Sequence, residues 1–185
     1  MSLKEGAEVI AGVRRLSLEA NPDSRGALTE LCRHSWLEAA EVPVQWNLVR
    51  SEAGVLRGLH WHNVRFDYLV PVSGRIVVGL VDLRVGSPHE RHATTVELRS
   101  EHEALIIPPG VGHGFFSPEP TLALYAITAF WDPDDEFGIR WDDEELAVPW
   151  GGDVLDPTLS ERDAMLPSLD AAAPLPRWTP SASDL

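Results

Sequence analysis

The chain has 185 residues, 44% of them apolar and 24% charged, so we predict one globular domain over residues 1–185. Its formal net charge of −14 argues against binding to nucleic-acid polymers or anionic membranes, because no excess of Lys and Arg is available to meet phosphates. A single cysteine, Cys32, excludes an intrachain disulfide and a cysteine-rich zinc site. The polar N-terminus lacks a signal-peptide pattern, so we expect a cytoplasmic protein.

Short strands are predicted along most of the chain. Residues 1–20 alternate weakly and predict an early strand or arm, and Asn21-Pro22 and Arg25-Gly26 then mark a turn. Evenly spaced apolar runs, each bounded by Gly, Pro, Ser or Asp, favour an all-β sandwich or barrel. These runs cover residues 44–49, 55–62, 68–72, 75–83, 93–98, 104–107, 114–117 and 122–131.

The last third of the chain has a different composition. Residues 132–145 are strongly acidic, and their simplest interpretation is a solvated loop. The Pro- and Ala-rich segment after Leu159 can hold a short helix, with Ser160 as its N-cap. We therefore expect short helices toward the C-terminus.

Histidines cluster at two places in the predicted strands. His60 and His62 are two residues apart, so on a strand both imidazoles point to one face, and Asp67 follows after a short turn. His113 comes just after the turn at Pro108-Pro109-Gly110. Imidazoles at these positions suit proton transfer near neutral pH, but three imidazoles and a carboxylate also suit iron, manganese, nickel or zinc.

The histidine segments resemble a known superfamily. Residues 54–74 have the spacing of the first cupin motif, with Asp67 where Glu is usual, and Pro108 to His113 resemble the second motif. More specifically, Gly54-Val-Leu-Arg57-Gly-Leu-His60 resembles the signature of the dTDP-4-dehydrorhamnose 3,5-epimerases, and similar segments extend over residues 20–178. The resemblance implies a cupin jelly roll (double-stranded β-helix), a homodimer, and a small-molecule nucleotide-sugar substrate.

The resemblance also implies roles for individual residues. It implies that His60 is the base, that Asp163 orients it, and that Tyr125 is the acid. The reaction would epimerise C3, C5 or both of a dTDP-4-keto-6-deoxyhexose in deoxysugar biosynthesis, without a cofactor. Further positions that the resemblance places at the substrate are Arg25, Glu30, Gln45, Asn47, Arg57, His62, Asp67, His113 and Trp131.

Asp67 departs from the family pattern. The family has a lysine near this point that stabilises the enolate oxygen, and a carboxylate destabilises an oxyanion instead. Either Arg65 or a protonated His62 would then replace the cation, or the chemistry has changed.

Two alternatives therefore stay open beside the epimerase. One is a metal-dependent cupin enzyme that binds a divalent transition metal through His60, His62, Asp67 and His113. The other is a non-catalytic sugar-nucleotide-binding cupin. We predict a metal-free acid–base site, because a metal cupin has no need of Tyr125 and Asp163.

Overall fold

The structure is a computed structural model that describes residues 4–5, 9–100, 102–152 and 154–179. Strands dominate these residues, together with one short α-helix and several 3-10 turns. The strands are β1 (Lys4–Glu5), β2 (Arg14–Ser17), β3 (Ala20–Asp23), β4 (Gly26–Thr29), β5 (Gln45–Ser51), β6 (Val55–Trp61), β7 (Asp67–Ser73), β8 (Arg75–Asp82), β9 (Ala93–Arg99), β10 (Glu103–Ile107), β11 (Val111–Ser117), β12 (Thr121–Ile127) and β13 (Phe137–Gly138). The helix α1 is Glu161–Ala164, and the 3-10 turns are His34–Trp36, Ala39–Glu41, Pro133–Asp135 and Leu169–Ala171.

Two antiparallel sheets form the body of the fold. The first has the order β1-β2-β10-β7-β12-β5 and the second the order β13-β6-β11-β8-β9, while β3 and β4 form a separate hairpin. The all-β jelly roll predicted from the sequence is confirmed. The last long strand is shorter than predicted, because β12 ends at Ile127 rather than at residue 131. No helix in the described ranges is long and apolar enough to cross a membrane.

The space between the sheets is filled by alternating apolar side chains. Ile76, Val78 and Leu80 of β8 are fully buried against side chains such as Leu105 of β10. Burial of each such side chain stabilises the fold by roughly 1.5–3 kcal/mol. This core anchors the strands from which the polar side chains described below project.

The outer face of the second sheet is also covered, and that of the first sheet is covered away from β5. Tyr68 and Val70 of the first sheet pack against Leu31 and Trp36, and the Tyr68 hydroxyl donates to the Leu31 carbonyl. The second sheet is covered by the segment that follows β13, including the buried residues Ile139, Leu146 and Trp150.

The interpretation of residues 132–145 as a solvated loop is therefore wrong in part. Between the acidic residues lie apolar residues that cover the outer face of the second sheet. One of them, Ile139, is fully buried. Farther along, Ser160 caps α1 as predicted, because its hydroxyl accepts a hydrogen bond from the Asp163 N–H at 3.1 Å.

Candidate active site

One cavity of about 300 Å³ collects most of the predicted site residues. Its apolar floor is continuous with the core and includes Leu69, Ile107 and Phe115. Its polar walls are formed by Arg57, His60, His62, Arg65, Asp67, His113, Tyr125, Trp131, Glu136, Ser160, Arg162 and Asp163.

A bulge in β6 brings Arg57 and His60 to the same wall. His60 pairs with His113 of β11 and Arg57 pairs with Phe115, so residues 58–59 lie opposite a single residue of β11. Such a bulge shifts the alternation of side chains by one residue. Arg57 and His60, three residues apart, therefore both line the cavity.

Glycine is required on both β6 and β11 where the two strands approach closely at this bulge. Gly58 has φ of +116°, and a Cβ there would lie 2.6 Å from the Cα of Gly114. A Cβ on Gly114 would lie 2.4 Å from the carbonyl oxygen of Arg57. The glycines therefore allow the close approach that fixes the position of His60.

His60 is hydrogen-bonded to a buried carboxylate. Its Nε2 lies 2.7 Å from Oδ1 of Asp163, which is 6% exposed. Because a carboxylate only accepts hydrogen bonds, Nε2 carries the proton and Nδ1 of the neutral ring presents a lone pair. Nδ1 lies 3.8 Å from Oε1 of Glu136, so a proton taken up there would face a second carboxylate.

Asp163 stays ionised despite its burial. Burial alone would raise the pKa of Asp163, but hydrogen bonds, the strongest of them from His60, hold that pKa below its usual value. A further N–H, from Gly58, points to Oδ2 at 3.4 Å. The carboxylate is therefore available at neutral pH to orient the imidazole and to stabilise its charged form.

Tyr125 contributes a neutral phenol to the cavity. It lies on β12, opposite Asn47 of β5 and Leu69 of β7. Burial, followed by the negative charges of Asp67 and Glu136, raises the pKa of Tyr125. The hydroxyl therefore keeps its proton near neutral pH and can donate it.

His62, Asp67 and His113 form a second polar group in the cavity. Oδ2 of Asp67 lies 2.8 Å from Nε2 of His113 and 3.4 Å from Nε2 of His62. Burial acts to lower the pKa of His113, but the hydrogen bond and charge of Asp67 raise it overall. Burial lowers the pKa of His62 to about 3, which argues against a protonated His62 as the replacement cation.

Arg65 and Glu136 form a buried ion pair beside these residues. Arg65 Nη2 lies 2.5 Å from Oε2 of Glu136, and its Nε lies 3.6 Å from Oδ1 of Asp67. Glu136 was missed in the sequence because it lies in an acidic run that shows no strand or motif. The one signal was its position just before the short strand β13, which pairs with β6 beside His60.

Some of the predicted substrate residues lie away from the cavity wall. Arg25 is exposed in the β3–β4 hairpin, with its Nη2 2.6 Å from Oδ2 of Asp23. Glu30, just after the hairpin, forms an ion pair with Arg33. Within this single chain, neither Arg25 nor Glu30 is brought to the cavity.

Gln45 and Asn47 share the inward face of β5 and contact each other through a 3.0 Å hydrogen bond. Gln45 Oε1 also accepts from the Trp131 N–H at 3.2 Å. Trp131 itself lines the cavity and is 51% exposed. These side chains therefore lie near the cavity mouth.

Only part of the four-residue metal set predicted from the sequence assembles. The ligand atoms of His62, Asp67 and His113 lie within 4.8 Å of one another. His60 faces the same cavity but is held by Asp163 instead. The structure thus separates an imidazole–carboxylate pair from a group of two imidazoles and one carboxylate.

Known proteins share this architecture. The sequence profile of the dTDP-4-dehydrorhamnose 3,5-epimerases matches residues 7–171. A protein of that name from Mycobacterium tuberculosis is 34% identical, over 91% of this chain and 90% of that protein. A dTDP-4-dehydrorhamnose 3-epimerase from Streptomyces niveus is 34% identical over 85% of this chain and 80% of that protein.

A solved structure is similar along nearly the whole chain. The dTDP-6-deoxy-D-glucose-3,5-epimerase of Legionella pneumophila, in complex with dTDP-4-keto-L-rhamnose, superposes with a TM-score of 0.88 at 27% identity. The match covers 97% of this chain and 100% of that chain. The chain therefore belongs to the dTDP-4-dehydrorhamnose 3,5-epimerase family and is an isomerase of that family.

Proposed function

We propose that this isomerase inverts C3, C5 or both of a dTDP-4-keto-6-deoxyhexose in deoxysugar biosynthesis. The observation that carries the proposal is the hydrogen-bonded pair of His60 and Asp163 in the same cavity as Tyr125. The names of the relatives support it, since one is a 3,5-epimerase and another a 3-epimerase. The Legionella pneumophila structure, with a dTDP-4-keto sugar bound, supports the substrate class.

The proposed reaction is a pair of proton transfers. Nδ1 of His60 takes the proton from the carbon beside the ketone, and the electrons of the broken C–H bond move to the keto oxygen to give an enolate. Asp163 and Glu136 stabilise the imidazolium. Tyr125 then donates its proton to the same carbon from the opposite face and the ketone re-forms, after which solvent restores both side chains. The sum is redox-neutral, so no electron-carrying cofactor is needed.

The nucleotide part of the substrate needs cations and an aromatic surface. Arg57 is held by the Ser51 hydroxyl at 3.0 Å and by the Arg50 carbonyl at 3.1 Å, which leaves the guanidinium fixed at the cavity wall. Forked guanidiniums suit diphosphate oxygens, and Arg162, 48% exposed, offers a second one. Trp131 at the mouth offers its exposed ring to the base.

We also propose a homodimer that pairs through the edge strand β5. Along β5 and the residue before it, Val44, Trp46 and Leu48 are 52%, 49% and 61% exposed. An exposed apolar edge strand favours pairing with another chain. A second copy of this chain is the natural occupant, because Arg25 and Glu30 would otherwise remain remote from a nucleotide. We further propose a cytoplasmic location, since a chain with the single cysteine Cys32 needs no oxidising compartment to form an intrachain disulfide.

Deuterium exchange tests the proposed function. The protein is incubated in heavy water with a dTDP-4-keto-6-deoxyhexose, and deuterium at C3 and C5 is measured by NMR. We expect incorporation at one or both carbons, at a rate proportional to enzyme concentration. No incorporation at either carbon, with dTDP still bound, would instead indicate the non-catalytic sugar-nucleotide-binding cupin.

A further inference from the structure

We propose that His62, Asp67 and His113 bind one divalent transition-metal ion in the wall of the cavity. Two imidazole nitrogens and one carboxylate, with open positions beside them, form the facial ligand set that holds iron(II) and related ions. The site differs from the four-ligand set indicated by the sequence, since His60 is engaged by Asp163. It also departs from the metal-free site that we predicted from the sequence.

Two of the three distances between the ligand atoms fit one ion, and the ligand atoms of His62 and His113 lie within 4.8 Å of each other. Bonds of about 2.0–2.2 Å to nitrogen and oxygen, at tetrahedral or octahedral angles, place neighbouring ligand atoms about 2.8–3.6 Å apart. The distances from Asp67 Oδ2 to His113 Nε2 and to His62 Nε2 are 2.8 Å and 3.4 Å. Both distances fall in that range, so these two pairs of ligand atoms need to move little when an ion binds.

The hydrogen bond of the His113 ring to the backbone also suits metal ligation. Nδ1 of His113 lies 2.9 Å from the Val111 carbonyl oxygen, which only accepts, so Nδ1 carries a proton. Nε2 of the neutral ring then points a lone pair at a carboxylate oxygen, and the two repel unless a proton or a metal ion lies between them. Ring nitrogens held in this way orient histidine ligands in metal sites.

The charge around Asp67 favours a bound cation. Asp67 is 7% exposed, and its Oδ1 has no hydrogen-bond partner. The side chains of Asp67, Glu136 and Asp163 are at most 9% exposed, and the similarly buried cation described beside them is Arg65. Buried charges are costly unless they are paired. A divalent ion compensates for this excess of negative charge, and the open cavity gives it a path of entry.

Such an ion also has a chemical use in this cavity. It acts as a Lewis acid that stabilises the enolate oxygen, without changing its own oxidation state. Arg65 is poorly placed for that task because Glu136 already holds its guanidinium at 2.5 Å. This role rests on the epimerisation proposed above, whereas metal binding itself does not.

The test is zinc binding by the full chain without a histidine tag. Protein treated with a chelator is titrated with zinc chloride in a calorimeter, and protein as purified is analysed for metals. We expect one ion per chain for the unchanged protein and at least a hundredfold weaker binding for Asp67→Asn and His113→Gln. His34→Gln, which changes an exposed imidazole, and His60→Gln should bind zinc as the unchanged protein does.

Affinity for dTDP and circular dichroism, measured on every variant, confirm that the fold is retained. The proposal would be overturned if the unchanged protein bound zinc no more tightly than folded Asp67→Asn. In that case a proton, and not a metal ion, would lie between Asp67 and His113. Loss of zinc in His60→Gln would also overturn it in favour of the four-ligand set. Zinc binding without proton exchange on the sugar would count against the epimerisation alone.

Discussion

His60 and His62 face the same cavity from neighbouring positions but have different proton chemistry. The carboxylate of Asp163, 2.7 Å away, fixes the tautomer of His60 and leaves Nδ1 free to take a proton. His62 is 2% exposed, and burial lowers its pKa to about 3, so it stays neutral. The hydrogen bond to Asp163 at His60 and burial at His62, not the position on the strand, therefore decide what each imidazole can do.

Replacing Tyr125 by Phe separates proton removal from proton return. The ring keeps its packing against the core, but the cavity loses the donor for the opposite face. We expect deuterium exchange at the sugar carbon to continue through His60 while inversion falls by roughly 10²- to 10⁴-fold. NMR of the sugar product distinguishes the two processes. Equal losses of exchange and inversion would contradict the assignment of Tyr125 as the acid.

Asp163→Asn should make stability less dependent on pH. The folded-state pKa of Asp163 lies below its usual value, so its ionisation stabilises the fold above the unfolded-state pKa of about 3.9, and this contribution is lost as the pH falls through the folded-state pKa. The variant should therefore have a lower Tm than the unchanged protein at pH 7, and the difference should shrink below about pH 4.

Thermal unfolding at several pH values measures this difference. Asp156→Asn, which changes an exposed carboxylate, is the control and should follow the unchanged protein throughout. A Tm difference for Asp163→Asn that stays constant from pH 7 to pH 3 would show that the carboxylate does not stabilise the fold through its charge.

At the scale of the element, the bulge in β6 is the feature on which the site depends. It places two wall residues, Arg57 and His60, on one face although they are three apart in sequence. The hydrogen-bonded ladder with β11 then fixes His60 opposite His113.

Gly58→Ala should disrupt this element. The added Cβ would lie 2.6 Å from the Gly114 Cα at a backbone φ of +116°, so both contact and conformation are unfavourable. We expect a loss of roughly 3 kcal/mol or more in the free energy of unfolding, measured by urea denaturation. Gly54→Ala is the matched control, because Gly54 also has a positive φ but a Cβ added there would meet no atom within 4 Å.

Gly54→Ala should lower the free energy of unfolding by only about 1–2 kcal/mol, which is the cost of the left-handed conformation alone. Equal losses in the two variants would mean that the close approach of β6 and β11 is unimportant.

The periodicity of the strands could be predicted from the sequence, whereas the pairing of charges in the site could not. Turn residues and apolar runs are local signals, so the strands and the shared face of His60 and His62 followed from spacing. Glu136 and Asp163 lie 76 and 103 residues after His60, and nothing local specifies that both reach it. The resemblance supplied Asp163, but the neutral state of His62 depends on burial, which only the folded packing determines.

At the scale of the whole molecule, the exposed apolar edge strand β5 is the feature that one chain leaves unexplained. Trp46→Glu combined with Leu48→Glu should convert a dimer to a monomer, because two carboxylates would then face an apolar partner surface. Light scattering after gel filtration measures the mass. Met165→Glu is the control, because Met165 is 78% exposed and lies outside β5, and this variant should remain a dimer. A double variant that remains dimeric would place the interface elsewhere.

The central claim is that His60 removes a proton from a sugar held in this cavity by its nucleotide. The most direct measurement is deuterium exchange at C3 and C5 by His60→Gln, with the affinity for dTDP measured on the same preparation. We predict exchange slower by roughly 10²- to 10⁴-fold and an unchanged affinity for dTDP. Exchange at the rate of the unchanged protein, with dTDP bound equally well, would contradict the account.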